Sequence, residues 1–99
     1  MRFFVAITVA ASALFSTVIA DSHSACACQI ASDRGTDDAA TEAMCKYIGG
    51  VTINAPTGAL YPGKYCQGFQ GHELGGDAVY SACRSQKCGE TYCQDSTCV

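Results

Sequence analysis

Apolar side chains are concentrated at the start of the chain and become periodic further along it. Positions 1–20 begin with one charged residue, Arg2, and continue as an almost wholly apolar run. Val18 and Ala20 stand at positions −3 and −1 of a cleavage site. A charged start, an apolar run and such a site are typical of a secretory signal peptide. We therefore expect residues 1–20 to be removed and residues 21–99 to form a single domain.

Two later segments have the apolar spacing of amphipathic helices. The first follows Thr36, a suitable N-cap, repeats a small or apolar residue every four positions over 40–48, and ends at two glycines. The second follows another pair of glycines and has Asp77 as its candidate N-cap. It places Val79 and Cys83 four residues apart, on one face. The sequence therefore predicts one helix after each of these caps.

Around the helices the pattern changes to that of strands. Over residues 26–30 the two cysteines and an isoleucine alternate with other residues, so they share one face of a strand. Residues 61–64, Tyr-Pro-Gly-Lys, have type II turn chemistry and predict a hairpin with strands near 58–61 and 64–69. A final strand is expected near 90–94. The order predicts an α+β fold, a small disulfide-rich α/β sandwich whose antiparallel sheet has two helices on one face, in split β-α-β order.

Composition shows why such a fold needs covalent support. After residue 20 the chain has 79 residues, so its core is small. Eight cysteines in a short secreted chain predict four disulfides. Their spacing lacks the Cys-x2-Cys pairs of zinc sites, so no metal is expected. Besides some tyrosines, the residues expected in the core are Ile30, Met44, Ile48, Val51, Ile53, Leu60, Phe69, Leu74 and Val79.

The first two cysteines suggest how the bridges are arranged. Cys26 and Cys28 are too close in sequence to bond readily to each other, and both would reach from one strand face toward the helices above it. We expect them to pair with Cys45 and Cys83, in an order that the spacing leaves open. The remaining cysteines are then expected to pair among themselves: Cys66, Cys88, Cys93 and Cys98.

Charge excludes two classes of partner. The chain has nine acidic and six basic side chains, and loss of Arg2 with the signal peptide leaves a net charge of −4. Neither nucleic acid nor an anionic membrane is attracted to such a chain by charge alone. Nothing after residue 20 is apolar enough to cross a bilayer, so we expect no stable membrane insertion after cleavage.

The most suggestive stretch for chemistry is the glycine-rich loop Gly68–Gly76. A histidine beside a carboxylate can transfer protons, but a catalytic pair also needs a third group and a pocket. A chain of this size rarely encloses one, so we expect no enzyme activity and no cofactor. Because the helices and sheet are used for packing, we expect binding through this loop and the loop Val51–Leu60. The binding residues expected in the first loop are Gln70, His72 and Glu73.

The succession of cysteine-bearing segments resembles a known family. It reads "CAC", then "ATEAMC" and "AVYSAC" on the two helices with "YC" on a strand between them, then a cysteine-rich tail. Over residues 26–93 this is similar to the alpha subunit of the virally encoded smut-fungus killer toxin and to small fungal secreted effectors. The resemblance implies a fungal secreted protein that acts on another organism. For the effectors, it implies the space between host plant cells. The loops 51–60 and 68–76 have no evident counterpart, and no dibasic processing site is present.

Three functions follow from the sequence, in order of preference. The first is a secreted, extracellular, non-enzymatic effector-like protein that binds a host protein or cell-surface component outside or at the host cell. The second is a killer-type toxin against competing microbes. The third is an inhibitor of a secreted hydrolase, with Arg34 or Lys64 presented at a turn.

Overall fold

Residues 22–99 are described by a computed structural model, and the predicted signal peptide, residues 1–20, lies outside them. Within this range the chain forms two helices, α1 (Asp38–Ile48) and α2 (Gly76–Arg84), and a short 3-10 turn over Phe69–Gly71. The strands are β1 (Ser22–His23), β2 (Ala25–Gln29), β3 (Val51–Asn54), β4 (Lys64–Gln67), β5 (Leu74–Gly75), β6 (Lys87–Cys88), β7 (Thr91–Tyr92) and β8 (Asp95–Cys98).

A four-stranded antiparallel sheet with the order β3-β4-β2-β8 forms the centre of the fold. Strand β4 lies between β2 and β3, the two strands that α1 connects, and this is the split β-α-β arrangement. Two short antiparallel pairs, β1–β5 and β6–β7, lie outside this sheet. The predicted α+β fold and its element order are confirmed.

Both faces of β2 are covered, which explains its small residues. Cys26 and Cys28 point to one face, where they pack with buried residues of α1 and α2 such as Met44 and Val79. The alternate residues Ala25 and Ala27 point to the other face. We call these the helix face and the loop face, because residues 55–63 cover the second one. All five residues of β2 are buried.

The two helices are where the sequence predicts them, but their N-caps are different residues, Asp37 for α1 and Gly75 for α2. Asp37, not Thr36, caps α1, and its carboxylate accepts a hydrogen bond of 2.8 Å from the backbone N–H of Ala40. The hydroxyl of Thr36 instead donates to the carbonyl of Pro62 at 2.9 Å. Helix α2 begins at Gly76, so Asp77 lies in its first turn, where a carboxylate is favourable. The capping role predicted for Thr36 and Asp77 is wrong.

Two of the predicted strands lie elsewhere along the chain in the structure. The stretch 58–61 is part of the loop, and β4 pairs instead with β3, where Ile53 lies opposite Tyr65. The last strand of the sheet is β8, because residues 87–92 form the separate β6–β7 hairpin. The predicted strands 58–61 and 90–94 are therefore wrong in position, although the number of strands in the sheet is right.

All eight cysteines form disulfides, as predicted, but half of the expected pairing is wrong. The bridges are Cys26–Cys98, Cys28–Cys83, Cys45–Cys66 and Cys88–Cys93. Cys28 does reach a helix. Cys26 does not, because the register of β2 and β8 places Cys98 directly opposite it, with the Cα atoms 4.1 Å apart. Cys45 of α1 therefore bonds to Cys66 on the neighbouring strand.

The core is smaller than the sequence predicts. Met44 and Val79 are fully buried, and so is Tyr65. Three further predicted core residues are partly buried against these, namely Ile48, Ile53 and Leu74. The prediction is wrong for Ile30, Val51, Leu60 and Phe69, which are exposed. Much of the space that they would fill is taken by cysteine pairs and alanines.

Candidate functional site

A groove lies between the end of α1 and the loop that follows β4. The register of β3 and β4 pairs Val51 with Gln67, so Gly50 and Gly68 meet at the same end of the ladder. The concavity has a volume of about 240 Å³. We call it the α1–loop groove, and it is lined by Ile48, Gly49, Gly50, Gly68, Phe69, His72, Glu73 and Leu74.

The loop wall of the groove is folded tightly on itself. The backbone N–H of His72 donates to the carbonyl of Phe69 at 3.1 Å, and Gln70 and Gly71 have left-handed φ values of 54° and 82°. A Cβ atom on Gly68 would overlap the carbonyl oxygen of His72, so only glycine fits there. This close approach brings His72 back beside the end of β4.

The helix wall is fixed by backbone bonds and by a disulfide. Gly49 has the left-handed φ of 82° that ends many helices, and the N–H groups of Gly49 and Gly50 both donate to the carbonyl of Cys45. A Cβ atom on Gly50 would lie 2.6 Å from Sγ of Cys66, which is bonded to Cys45. The bottom of the groove therefore rests on a covalent bridge, and its helix wall carries the partial negative charge of a helix C-terminus.

The groove gathers two of the three predicted binding residues. His72 and Glu73 both line it, and both are exposed to solvent. Gln70 lies on the same turn and is exposed, but it is not part of the lining. Sequence reasoning missed the role of Phe69, which is 54% exposed and forms part of the wall, whereas it was expected in the core.

The other predicted binding loop, residues 51–60, has two structural parts. Its first residues form β3, and the rest belong to the segment 55–63 that covers the loop face. Beneath this cover lies the ring of Tyr65, whose hydroxyl donates to the carbonyl of Tyr61 at 3.0 Å. Burial raises the pKa of the Tyr65 hydroxyl above its ordinary value. Leu60 points outward and is 82% exposed.

A wider depression lies along the outer face of α1. It has a volume of about 480 Å³ and is lined by Ala39, Glu42, Ala43, Lys46 and Tyr47. All five residues belong to one helix, so no second element walls it. The smaller α1–loop groove is the better candidate site, because two elements enclose it and a disulfide supports it.

Residues 22–99, the part of the chain that the structure describes, show neither a metal-binding cluster nor a membrane-spanning helix. In this range no three or more His, Cys, Asp or Glu side chains are grouped so that they could hold a metal ion. No helix in the same range has the length and apolar character needed to cross a membrane.

Comparisons with known proteins give no relative for this chain. No protein-family model matches the sequence, no curated protein is significantly similar to it, and no solved structure significantly matches its fold. The function must therefore be inferred from the chain's own side chains and their positions.

Proposed function

We propose that this protein is a secreted, non-enzymatic, effector-like protein of a fungus that binds a host protein or cell-surface component outside or at the host cell. The single observation that carries the proposal is the α1–loop groove, a small concavity held in shape by the Cys45–Cys66 bridge. The four disulfides support the secreted location, because they persist in oxidising compartments and stabilise domains too small for a large core.

The lining of the groove has the chemistry of a binding site. Phe69, Ile48 and Leu74 supply apolar surface, and His72 and Glu73 supply polar groups at its edge. Aromatic anchors on rigid elements, with polar groups around them, are typical of protein–protein contacts. Because Phe69 is on a tight turn, little conformational entropy is lost when a partner contacts it.

The same geometry favours binding over catalysis. His72 and Glu73 are on an exposed loop, where water screens the charge of each group. Acid–base chemistry is most effective in a closed site that excludes water and holds its groups against the reacting atoms. A partner's side chain inserted beside Phe69 needs no such closure.

The test is a paired exposure assay with oxidised protein expressed from the full sequence. The protein is added to a panel of yeasts and filamentous fungi and, at the same dose, infiltrated into leaves of several plants, with reduced and alkylated protein as the control. We expect no microbial killing and a leaf response in certain plant genotypes only. Killing of microbes would contradict the proposal and favour the killer-type toxin.

Variants connect this response to the groove. Phe69→Ala, and the double change His72→Ala with Glu73→Gln, are expected to abolish the leaf response. Ile30→Ala is the matched control, because it removes an exposed apolar side chain that lies in neither predicted binding loop, and it should leave the response intact. The inhibitor function would be favoured instead if the protein inhibited a secreted hydrolase, if Arg34→Ala or Lys64→Ala abolished this inhibition, and if the groove variants still inhibited fully.

A further inference from the structure

A second surface feature lies at the end of α2, away from the residues that line the groove. Two cations each lie over a tyrosine ring: Cζ of Arg84 is 5.6 Å from the ring centroid of Tyr80, and Nζ of Lys87 is 4.9 Å from that of Tyr92. Arg84 also donates a hydrogen bond of 2.8 Å to the Tyr80 hydroxyl. All four side chains are exposed. We call these four residues the tyrosine–cation patch.

The patch is built on rigid elements. Tyr80 and Arg84 are one turn apart on α2, whose Cys83 is bonded to β2 through Cys28. Lys87 and Tyr92 are a cross-strand pair of the β6–β7 hairpin, which the Cys88–Cys93 bridge closes. The backbone N–H of Gln86, the residue before the hairpin, donates to the carbonyl of Cys83 at 2.9 Å, so the start of the hairpin is attached to the end of the helix.

The two basic residues are close together along the chain. Arg84 and Lys87 are three residues apart, so their Cα atoms are at most about 11 Å from each other. An extended ligand can therefore span the distance between the two residues.

The charge of these two cations is available to a ligand. In the part of the chain that the structure describes, the recorded partners of Arg84 and Lys87 are tyrosines, not carboxylates. A guanidinium has five N–H donors and an ammonium has three, so most of their donors can still reach a ligand. After residue 20 the chain has five Lys and Arg residues and nine acidic ones. Arg84 and Lys87 are two of these five, so their positive charge is confined to a small part of an acidic chain.

We propose that the tyrosine–cation patch binds an acidic polysaccharide, a chain of sugar rings that carry spaced negative groups. The exposed parts of the two tyrosine rings can contact the C–H groups of sugars, and each cation can pair with a carboxylate or sulfate in a charge-assisted hydrogen bond. This inference is independent of the proposed function, because it uses none of the residues of the α1–loop groove.

Charge density makes a sugar polymer a better ligand than a nucleic acid. A nucleic acid carries closely spaced phosphates and is bound mainly by many cations, whereas this patch offers two on an acidic protein. The net charge of the chain repels such a dense polyanion. Isolated negative groups separated by apolar ring faces suit a surface with two cations, each beside a tyrosine ring.

The test uses oxidised, isotope-labelled protein that is expressed from the full sequence. Three oligosaccharides of similar length are titrated into it, and NMR chemical shifts report binding. An oligogalacturonate supplies carboxylates, a heparin fragment supplies sulfates, and a cello-oligosaccharide is neutral. We expect shifts at the four patch residues with at least one acidic oligosaccharide and none with the neutral one. The two acidic arms show which negative group is preferred.

Variants decide whether the patch is the site. The double change Arg84→Gln with Lys87→Gln is expected to weaken binding by about tenfold or more, since each cation supplies a charge-assisted hydrogen bond. Arg34→Gln is the matched control, because it removes one exposed positive charge elsewhere and should leave the affinity within about twofold. Glu90→Gln, at the turn of the hairpin, should strengthen binding. Failure of both acidic oligosaccharides to bind, tighter binding of single-stranded RNA, or equal weakening by Arg34→Gln would overturn the proposal.

Discussion

The two faces of the central sheet are covered in different ways. On the helix face, Cys28 of β2 and Cys66 of β4 are each bonded to a helix, and Met44 and Val79 fill the space between the bridges. On the loop face, the cover consists of residues of the segment 55–63 together with Ile53 of β3, and a single large ring, that of Tyr65, lies in the middle. No disulfide crosses to this cover, because all eight cysteines are paired elsewhere.

The difference shows two ways in which a small chain can bury a strand. Alanine at positions 25 and 27 leaves room for the Tyr65 ring beside β2. Bridges fix the helix face by restricting the unfolded chain, whereas the loop face depends on apolar contact and on hydrogen bonds such as those that the hydroxyls of Tyr65 and Thr36 donate to the loop cover. We therefore expect the helix face to determine the global stability and the loop cover to open locally.

Removing a bridge of the helix face should have the largest effect. Changing both Cys28 and Cys83 to alanine removes a disulfide between residues that are 55 positions apart. This change should lower the free energy of unfolding by about 4 kcal/mol. Cys88→Ala with Cys93→Ala is the control, since its residues are only five positions apart and the expected loss is about 2 kcal/mol. Urea unfolding followed by circular dichroism measures both. Equal losses, or less than about 1 kcal/mol for the first pair, would contradict this account.

Truncation of apolar side chains compares the faces without changing a bridge. Met44→Ala leaves a cavity among fully buried neighbours and should cost about 3 kcal/mol. Leu60→Ala, on the outside of the loop cover, should change the free energy of unfolding by less than about 0.5 kcal/mol. Thermal and urea unfolding give the two values. A loss for Leu60→Ala as large as that for Met44→Ala would show that the loop packs against something that stabilises the fold.

Gly68→Ala should disturb the groove while the helix face stays folded. The new Cβ would overlap the carbonyl of His72, so the turn must shift, at a cost of about 2 kcal/mol. Gly75→Ala, at the other end of the same loop, is the matched control, because no atom lies within 4 Å of its added Cβ. NMR shifts of Phe69 and His72 should change in the first variant only. Unchanged shifts in Gly68→Ala would mean that the loop is not closed as described.

Among the changes that should destabilise the fold, Tyr65→Phe should have the smallest effect. It removes the hydroxyl bond to the carbonyl of Tyr61 and keeps the ring in place, so the expected loss is about 1 kcal/mol at neutral pH. Urea unfolding at pH 7 measures it. A loss above about 3 kcal/mol would indicate that the hydroxyl organises more of the loop face than this one bond.

The same variant predicts a pH dependence. Burial raises the pKa of Tyr65 in the folded state above the unfolded value of about 10, so the folded protein holds this proton more tightly. Its contribution to stability is full below about pH 10 and is lost as the pH rises through the folded pKa. The advantage of the native protein over Tyr65→Phe should therefore shrink over the range above about pH 10. An advantage that grows in this range would contradict the burial of the hydroxyl.

How far the sequence predicts this molecule depends on how local each feature is. The apolar spacing around Met44 and Val79 places both helices correctly, because helical periodicity is contained within one segment. The bridges of Cys26 and Cys45 are not predictable in this way. They depend on the register of β2 with β8 and β4, which the neighbouring residues do not reveal.

The candidate site shows the same limit. His72 and Glu73 are polar residues in a glycine-rich loop, so the sequence predicts that this part of the chain is exposed. Both residues line the groove. The opposite wall, at Gly49 and Gly50, depends on the pairing of Val51 with Gln67, which is a tertiary feature. Phe69 was expected in the core because hydrophobicity alone does not distinguish an inward aromatic side chain from one displayed on a turn.

Native-state hydrogen exchange tests the difference between the two faces most directly. The backbone N–H of Cys28, bonded to the hydroxyl of Thr41 at 3.0 Å, reports on the helix face, and those of Ala55 and Ala59 report on the loop cover. We predict that Cys28 exchanges only through global unfolding and that Ala55 and Ala59 exchange at least about 100-fold faster, through local opening. Equal protection of the three amides would contradict the account, because it would mean that the loop cover unfolds only together with the bridged core.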